Sequence, residues 1–148
     1  MIGTDETSVE SQVRSRITKA VGAETNMGEP KIIDLQVNDH AGTLKDGDKI
    51  VIATLHGNDN LSNKMMKGGM QLESIKVFKA LFVMPDVEEV ALLWQFPTTD
   101  SGGNSSLNTV LKITITKTTA NKINWSEFDK DNFVKLADSY WELPSLRE

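Results

Sequence analysis

Cysteine is absent from the 148 residues of this chain. The chain therefore has no disulfides, no zinc sites built on thiolates and no thiol catalysis. Long apolar runs are missing as well, because no segment approaches the roughly 18–20 consecutive apolar residues that cross a bilayer. What remains is the composition of a folded domain held by its core, with 39% hydrophobic and 25% charged residues.

Positive charge is scarce. The 16 basic residues against 21 acidic ones give a net charge of −5, and the basic residues are scattered singly along the chain. Phosphate binding relies on clustered Lys and Arg, so we expect no binding of nucleic acid. The same balance argues against docking on anionic lipid, and we expect no membrane insertion by this chain itself.

The N-terminal segment is polar. Residues 1–7 lack the basic start and apolar core of a signal peptide, and we expect them to form a disordered lead, with any anchor lying upstream. Thr7 and Glu10 then have the spacing of a capping box. An apolar stripe with a spacing of four residues follows, made of Val9, Val13, Ile17 and Val21. The pattern predicts an N-terminal helix over residues 8–22.

Four segments carry the residue patterns of β-strands, namely residues 31–38, 49–56, 89–96 and 107–117. The second and third are apolar on both faces, which is typical of central strands, whereas the other two alternate. Between the central strands, residues 60–83 have apolar side chains at helical spacing. We expect Gly68-Gly69 to break or bend that helix.

The order helix, strand, strand, helix, strand, strand, helix predicts an α+β fold. A long helix between two strands favours a parallel pair joined by a right-handed crossover, so we place strands two and three side by side at the centre. The outer strands then flank them as hairpins. We expect a single domain over residues 1–148, with a mixed four-stranded sheet, helices packed mainly on one face and a core unit over residues 30–146.

The C-terminal stretch INWSEFDKDNFVKLADSYWELPSL concentrates aromatic and acidic residues. Phe133, Ala137 and Tyr140 fall on one face of a predicted helix, which should pack on the sheet. Asp138 and Glu142 lie largely away from that face, and we expect their carboxylates to be solvated. We therefore interpret the stretch as packing and not as a reactive site.

The clearest binding signal lies in the long helix. Met65, Met66 and Met70 surround the pair Gly68-Gly69. Pliable thioethers beside a backbone that allows close approach can form an adaptable groove, and these five residues are the predicted binding site. Methionine at helical spacing is also common core filler, and that interpretation stands beside the first.

The chain has two histidines, and His56 is the one that suggests chemistry. Imidazole titrates near neutrality and could act as a general base with a nearby carboxylate such as Asp59. No nucleophile is singled out among the many serines, and a polar residue that ends a strand is the simpler interpretation. We name no catalytic residue and keep a small hydrolase that uses His56 as the alternative.

Acidic clusters do not reach the pattern of a metal site. Residues 46–48 and 129–132 offer oxygen ligands, but neither segment matches the calcium-binding loop of about twelve residues that closes on Glu. We expect no metal and no cofactor.

The C-terminal pattern also carries a resemblance. Its motif consists of INW at residues 123–125, Phe128, and ADSYWE at residues 137–142, preceded by HGNDNLS and LLWQFPTTDSGGN. With these motifs, residues 30–146 resemble an uncharacterised group of Gram-positive bacterial domains that follow a lipoprotein signal or one spanning helix. The resemblance implies a tethered location outside the membrane. Leu143 stands where that group has His before the proline, so no role of that His carries over.

Residues and resemblance together predict a non-enzymatic, extracytoplasmic module of a membrane-anchored bacterial protein, which binds a small ligand or another protein. The alternatives are a small hydrolase as the function and the cytoplasm as the location. An apolar groove without titratable groups would favour binding. Convergence of His56 with a Ser or Asp in one cleft would favour the enzyme.

Overall fold

The computed structural model describes residues 8–42 and 47–147. Its helices are α1 (Val9–Val21), α2 (Asn63–Phe82), α3 (Lys117–Ala120) and α4 (Phe133–Leu136), and its strands are β1 (Ile32–Asp39), β2 (Lys49–His56), β3 (Val87–Thr99), β4 (Ser105–Thr116) and β5 (Ser139–Glu142). Two 3-10 turns cover Lys130–Asn132 and Pro144–Arg147. The chain is α+β with a mixed five-stranded sheet.

Helix α1 begins at Ser8, whose hydroxyl accepts the Ser11 N–H at 3.0 Å and so satisfies one of the first backbone donors. Val13 and Ile17 of the predicted stripe are fully buried. Gly22 ends the helix with a φ of 92°, a backbone angle that favours glycine. Three predicted features lie outside the described residues: the lead over residues 1–7, the cap Thr7, and Asp46 of the acidic loop.

The sheet follows the chain order β1-β2-β3-β4-β5. Strands β1 and β2 are antiparallel, as are β3 and β4, whereas β2 and β3 run parallel. Helix α2 provides the long crossover that a parallel pair needs. The predicted central parallel pair is confirmed.

One face of the sheet carries the hydrophobic core. Its rows run in register across the strands: Leu35, Ala53, Leu92 and Ile113 in one, and Val37, Val51, Val90 and Ile115 in the next. Both long helices contribute buried side chains to this core. The indole N–H of Trp94 donates to the Ser74 hydroxyl of α2 at 2.8 Å, so even the polar atom of the largest buried side chain is hydrogen-bonded.

The other face of the sheet, called here the open face, points to solvent. Its three rows are Asp34, Thr54, Leu93, Lys112 and Trp141; Gln36, Ile52, Ala91, Thr114 and Ser139; and Asn38, Ile50, Glu89 and Thr116. None of these side chains is buried. Within the part of the chain that the structure describes, no layer of helices covers this face.

Helix α2 runs without interruption from Asn63 to Phe82, so the break predicted at Gly68-Gly69 is wrong. Its start is fixed by Ser62, whose hydroxyl accepts the Met65 N–H at 3.1 Å. Each glycine costs about 1 kcal/mol relative to alanine in a helix interior. Tertiary packing offsets this cost, through the buried residues Met70, Gln71, Ser74, Val77, Phe78 and Leu81.

The C-terminal stretch departs from the predicted helix. Helix α4 ends at Leu136, because Ala137 turns to an extended backbone with a ψ of 145°. Tyr140 lies in β5, where it pairs with Ile113 of β4. The predicted four-stranded sheet is therefore wrong by one strand. The spacing of four and three residues between Phe133, Ala137 and Tyr140 suits a helix, but a short turn followed by a strand also directs these residues to the core.

Four aromatic residues of this stretch, Trp125, Phe128, Phe133 and Tyr140, pack on the core, whereas Trp141 lies on the open face. The Phe133 ring is fully buried and lies 5.8 Å from the Phe78 ring of α2 and 4.9 Å from the Phe128 ring, measured between centroids. Trp125 stacks on Phe78 at 5.7 Å. Ring pairs at these separations add to the energy of area burial, so the cluster fixes the C-terminal segment to α2.

Candidate functional site

A cleft of about 480 Å³ opens beside the N-terminal half of α2, and we call it the methionine cleft. It lies where the first turns of α2, the far end of the β3–β4 hairpin and the segment after β5 meet. Its lining residues are Asn63, Met66, Met70, Phe96, Pro97, Thr98, Thr99, Val110, Leu143, Ser145 and Leu146.

One wall of the cleft exists because β3 is longer than β2. The two strands pair only as far as Gln95, whose carbonyl accepts the Gly57 N–H at 2.9 Å. Beyond that point β3 and β4 continue as a two-stranded ribbon to the turn at residues 100–104. Asp100 forms that turn, since its carboxylate accepts the N–H groups of Gly102 and Asn104 at 2.9 Å each.

A bulge in β4 brings the C-terminal segment to the cleft. A register shift after Trp94 leaves Val110 as the extra residue of β4. The Val110 carbonyl accepts the Leu143 N–H at 2.8 Å. Leu143 and the nearly buried Leu146 are thereby held against the ribbon.

Gly57 sits behind the methionine wall. A Cβ atom at this position would lie 3.0 Å from the Met70 sulfur, 3.3 Å from Met70 Cγ and 3.6 Å from the Phe96 ring. Contacts this short would force the Met70 side chain to move. Glycine at this position therefore keeps the shape of the cleft.

The exposed lining of the cleft is about equally polar and apolar, and its polar groups are neutral. Among the described residues that line it, none is Asp, Glu, Lys, Arg or His. The side-chain amide of Asn63 donates to the Ser145 carbonyl at 3.2 Å and links α2 to the C-terminal turn. A lining of apolar and neutral hydrogen-bonding groups suits an uncharged ligand. The described lining has hydroxyl groups but no carboxylate or imidazole that could act on them as a general base.

The structure divides the five residues of the predicted binding site: Met66 and Met70 line the cleft, whereas Met65, Gly68 and Gly69 do not. Met65 points outward and is 47% exposed. Gly68 lies nearest the side chain of Lys130, and Gly69 faces open space. The glycines thus open no groove, and the signal that locates the cleft is the spacing of two methionines one turn apart.

Sequence reasoning missed the residues that the fold brings to the methionines. These are Phe96, Pro97, Val110, Leu143 and Leu146. They come from three segments that the chain order alone does not bring together. The one local signal is Phe96-Pro97, where a strand meets a residue that cannot donate to a neighbouring strand.

A polar cluster lies close to α2 around the buried ammonium of Lys31. The Lys31 ammonium has no exposed surface and pairs with Glu73 at 2.8 Å. It also donates to the Asn58 side-chain oxygen at 3.3 Å and lies 5.6 Å from the centre of the Trp94 ring. A buried cation with this many partners is structural, because no substrate can reach it.

His56, the centre of the hydrolase alternative, is also buried. It is 6% exposed, and its Nε2 atom has no hydrogen-bond partner among the described residues. The Asp59 carboxylate accepts the N–H of Asn60. His56 does not line the methionine cleft. The structure therefore does not bring His56 together with a nucleophile in a cleft.

The acidic residues near the C-terminus are more engaged than predicted. The expected solvation of Glu142 is wrong, since it is 6% exposed. Its carboxylate accepts the Tyr140 hydroxyl at 2.8 Å and the Lys67 ammonium at 3.2 Å. Burial first, and Glu142 second, raise the pKa of Tyr140 above its ordinary 10.0, so the phenol remains a donor.

Asp138 is exposed, as predicted, yet it makes several hydrogen bonds. Its carboxylate accepts the Thr116 N–H at 2.7 Å, the Thr116 hydroxyl at 3.1 Å and the Thr119 hydroxyl at 3.0 Å. It therefore joins the end of β4 and the start of α3 to the segment before β5. This role is structural.

Residues 8–42 and 47–147 contain no group of three His, Asp or Glu side chains that could hold a metal ion. No helix among these residues is long and apolar enough to cross a bilayer.

Comparisons with protein-family models, with curated proteins and with solved structures find no match for this chain.

Proposed function

We propose that this chain is a non-enzymatic binding module whose ligand site is the methionine cleft. The observation that carries the proposal is a cleft of about 480 Å³ whose described lining combines apolar and neutral polar groups and contains no titratable side chain. Typical ligand sites have volumes of about 300–1,000 Å³. The ligand we propose is an uncharged group with apolar and hydrogen-bonding parts, belonging to a small molecule or to a partner protein.

The energetics of such a site favour contacts beyond the cleft. Burial of a four-carbon aliphatic group contributes about 3 kcal/mol at roughly 0.8 kcal/mol for each CH₂. Association costs at least as much, so this group alone binds weakly. Further contacts must therefore come from the edge of the cleft.

The edge of β3 supplies such contacts and supports the protein-interaction form of the proposal. Past Gln95, no strand of the described chain pairs with β3 on the β2 side. Pro97 and Thr99 have the same strand parity as Gln95, so the carbonyls of both residues and the Thr99 N–H point to that unpaired side, whereas Pro97 has no N–H to donate. An extended partner segment can hydrogen-bond there while one of its side chains enters the cleft.

We propose further that the module works outside a bacterial membrane, tethered by an anchor in the full-length protein. The support is the resemblance of residues 30–146 to Gram-positive domains that follow a lipoprotein signal or a spanning helix. The coding sequence upstream provides the test. A lipobox cysteine or one spanning helix would support the tethered location, and an upstream cytoplasmic domain would favour the cytoplasmic alternative.

Methionine-methyl NMR tests the binding site directly. We expect N-acetyl-leucine amide at about 10 mM, well above a millimolar Kd, to shift the methyl signals of Met66 and Met70. The signals of the exposed Met65 and the buried Met84 serve as internal controls within the same sample. The charged N-acetyl-leucinate should shift them less, because the lining offers its carboxylate no cation.

A matched pair of variants completes the test. Met66→Glu places a carboxylate in the cleft and should abolish the response, whereas Met65→Glu adds the same charge one residue away and should preserve it. Equal shifts for all methionines, or a response that survives Met66→Glu, would contradict the proposed site.

A further inference from the structure

The open face of the sheet has an apolar centre with polar borders. Ile50 and Ile52 of β2 and Ala91 and Leu93 of β3 form this centre, and none of them is buried within the chain. Sheets that face water usually alternate apolar and polar residues, whereas strands apolar on both faces belong under two packing layers. The described chain supplies one of those layers.

Opposite charges stand at the two sides of this apolar centre, in a single row of the sheet. Asp34 lies on β1 and Lys112 on β4. Strands spaced about 4.8 Å apart separate them by roughly 14 Å, so they do not pair within one chain. The Asp34 carboxylate accepts the Gln36 amide at 3.2 Å, and the Lys112 ammonium lies 5.7 Å from the centre of the Trp141 ring.

We infer that a second copy of this chain covers the open face, as a symmetric dimer with the two sheets face to face. A two-fold axis parallel to the strands, running between β2 and β3, leaves positions along the strands unchanged, so each row faces the same row of the other copy. It places β1 of one copy over β4 of the other, and β2 over β3. The inference concerns the open face and does not depend on the methionine cleft.

This rotation makes the rows that contain Asp34 and Ile52 complementary to themselves. In the third row, Ile50 of each copy meets Glu89 of the other, whose carboxylate stays 2.8 Å from His40 of its own chain. Asp34 of each copy meets Lys112 of the other, which gives two symmetry-related ion pairs. Ile52 of each copy meets Ala91 of the other at the centre of the contact. Self-complementarity under one two-fold rotation is what an isologous interface requires, and aligned sheets about 10 Å apart are a common packing arrangement.

The size of the face sets the strength of the dimer. Four overlapping strands and three rows cover about 400 Å² of sheet plane in each copy, by standard strand dimensions. A standard interface buries about 800 Å² for each partner. A contact of this size belongs to a weak, reversible dimer.

Charge reversal with sedimentation velocity tests the arrangement. Over about 5–500 μM, the wild-type chain is expected to shift from monomer to dimer. Asp34→Lys or Lys112→Glu each creates two like-charge contacts in the dimer and should weaken it by about tenfold. Lys76→Glu, an exposed position on α2 away from the sheet, is the matched control and should leave the dimer unchanged.

Mixing the two variants gives the sharpest outcome. In a one-to-one mixture, the introduced lysine of one chain faces the introduced glutamate of the other, and the two unchanged residues face each other as well. The mixed dimer should form with wild-type affinity, as should a dimer of the doubly reversed chain Asp34→Lys/Lys112→Glu. Both side chains are exposed in the monomer, so folding should be preserved, which circular dichroism checks.

Three results would overturn the inference. A wild-type chain that remains monomeric at the highest concentration leaves the face to another occupant. A dimer indifferent to both reversals lies on another surface. Reversals that weaken the dimer without recovery in the mixture exclude this two-fold axis.

Discussion

The buried ion pair between Lys31 and Glu73 makes a strong prediction about stability. Glu73→Gln would leave an ammonium with no solvent exposure facing neutral groups only, namely the Asn58 oxygen at 3.3 Å and the Trp94 ring at 5.6 Å. Breaking a buried pair by removing one partner costs about 3–5 kcal/mol. Because Glu73 is 17% exposed and the neutral partners remain, we expect about 3 kcal/mol.

A double-mutant cycle separates the pair from its surroundings. Lys31→Met removes the charge and keeps most of the side-chain volume, so the double variant Lys31→Met/Glu73→Gln contains no orphaned cation. We expect it to recover about 2 kcal/mol of the loss, measured as the free energy of unfolding in urea. The reasoning would be refuted if the double variant lost as much stability as the two single variants together, since this would show that each residue acts without the other.

The surface pair between Lys49 and Asp39 is the control. Its 2.6 Å distance is shorter than that of the buried pair, but the Asp39 side chain is 88% exposed. Solvent screens such pairs almost completely. Asp39→Asn should therefore lower the urea midpoint at pH 7 only slightly, and a loss as large as that of Glu73→Gln would mean that distance, and not burial, sets the effect.

Three further predictions use the same unfolding assay. His56→Ala should lower the free energy of unfolding by about 1–3 kcal/mol, because it removes a buried ring, and should spare any activity found; loss of activity with intact stability would support the hydrolase instead. Phe133→Ala should cost about 3–5 kcal/mol, whereas Leu136→Ala, at a 44% exposed position, should cost less than about 1 kcal/mol; equal costs would argue against the aromatic cluster. The hydrogen bond from Lys49 holds the pKa of Asp39 below its ordinary 3.8. The stabilisation of the fold by this pair is therefore present above pH 3.8 and is lost as the pH falls through the lowered pKa. When the pH is lowered from about 5 to about 2, the urea midpoint of Asp39→Asn should accordingly fall slightly less than that of the wild type. A steeper fall for Asp39→Asn would show that the ionised Asp39 carboxylate does not stabilise the fold.

The sequence predicts the elements whose pattern is long and regular. The stripe of α1, the four long strands and the parallel central pair all follow from periodicity, because their apolar side chains face a continuous core. Gly68-Gly69 misled the prediction of α2, since local propensity costs about 1 kcal/mol for each glycine and six buried positions outweigh it. Helix propensity is a property of the local sequence, whereas the packing that outweighs it depends on residues far away in the chain.

The fifth strand and most of the cleft could not be predicted from the sequence, because both depend on contacts between distant segments of the chain. Strand β5 has four residues, too few for a period to be visible, and it exists through its pairing with β4. Val110 reaches the cleft through a bulge, and Leu143 through one backbone hydrogen bond to it. Met66 and Met70 were predictable because both lie on one helix, one turn apart.

The crossover helix also has a consequence for how the chain folds. Strands β1 and β2 can meet early, as can β3 and β4, because each pair is joined through a local connection. The β2–β3 ladder requires closure of the whole α2 segment before any of its hydrogen bonds form, and non-local pairing of this kind slows folding. The two hairpins are therefore expected to form as separate units on either side of α2, and their docking along one parallel seam would set the folding rate.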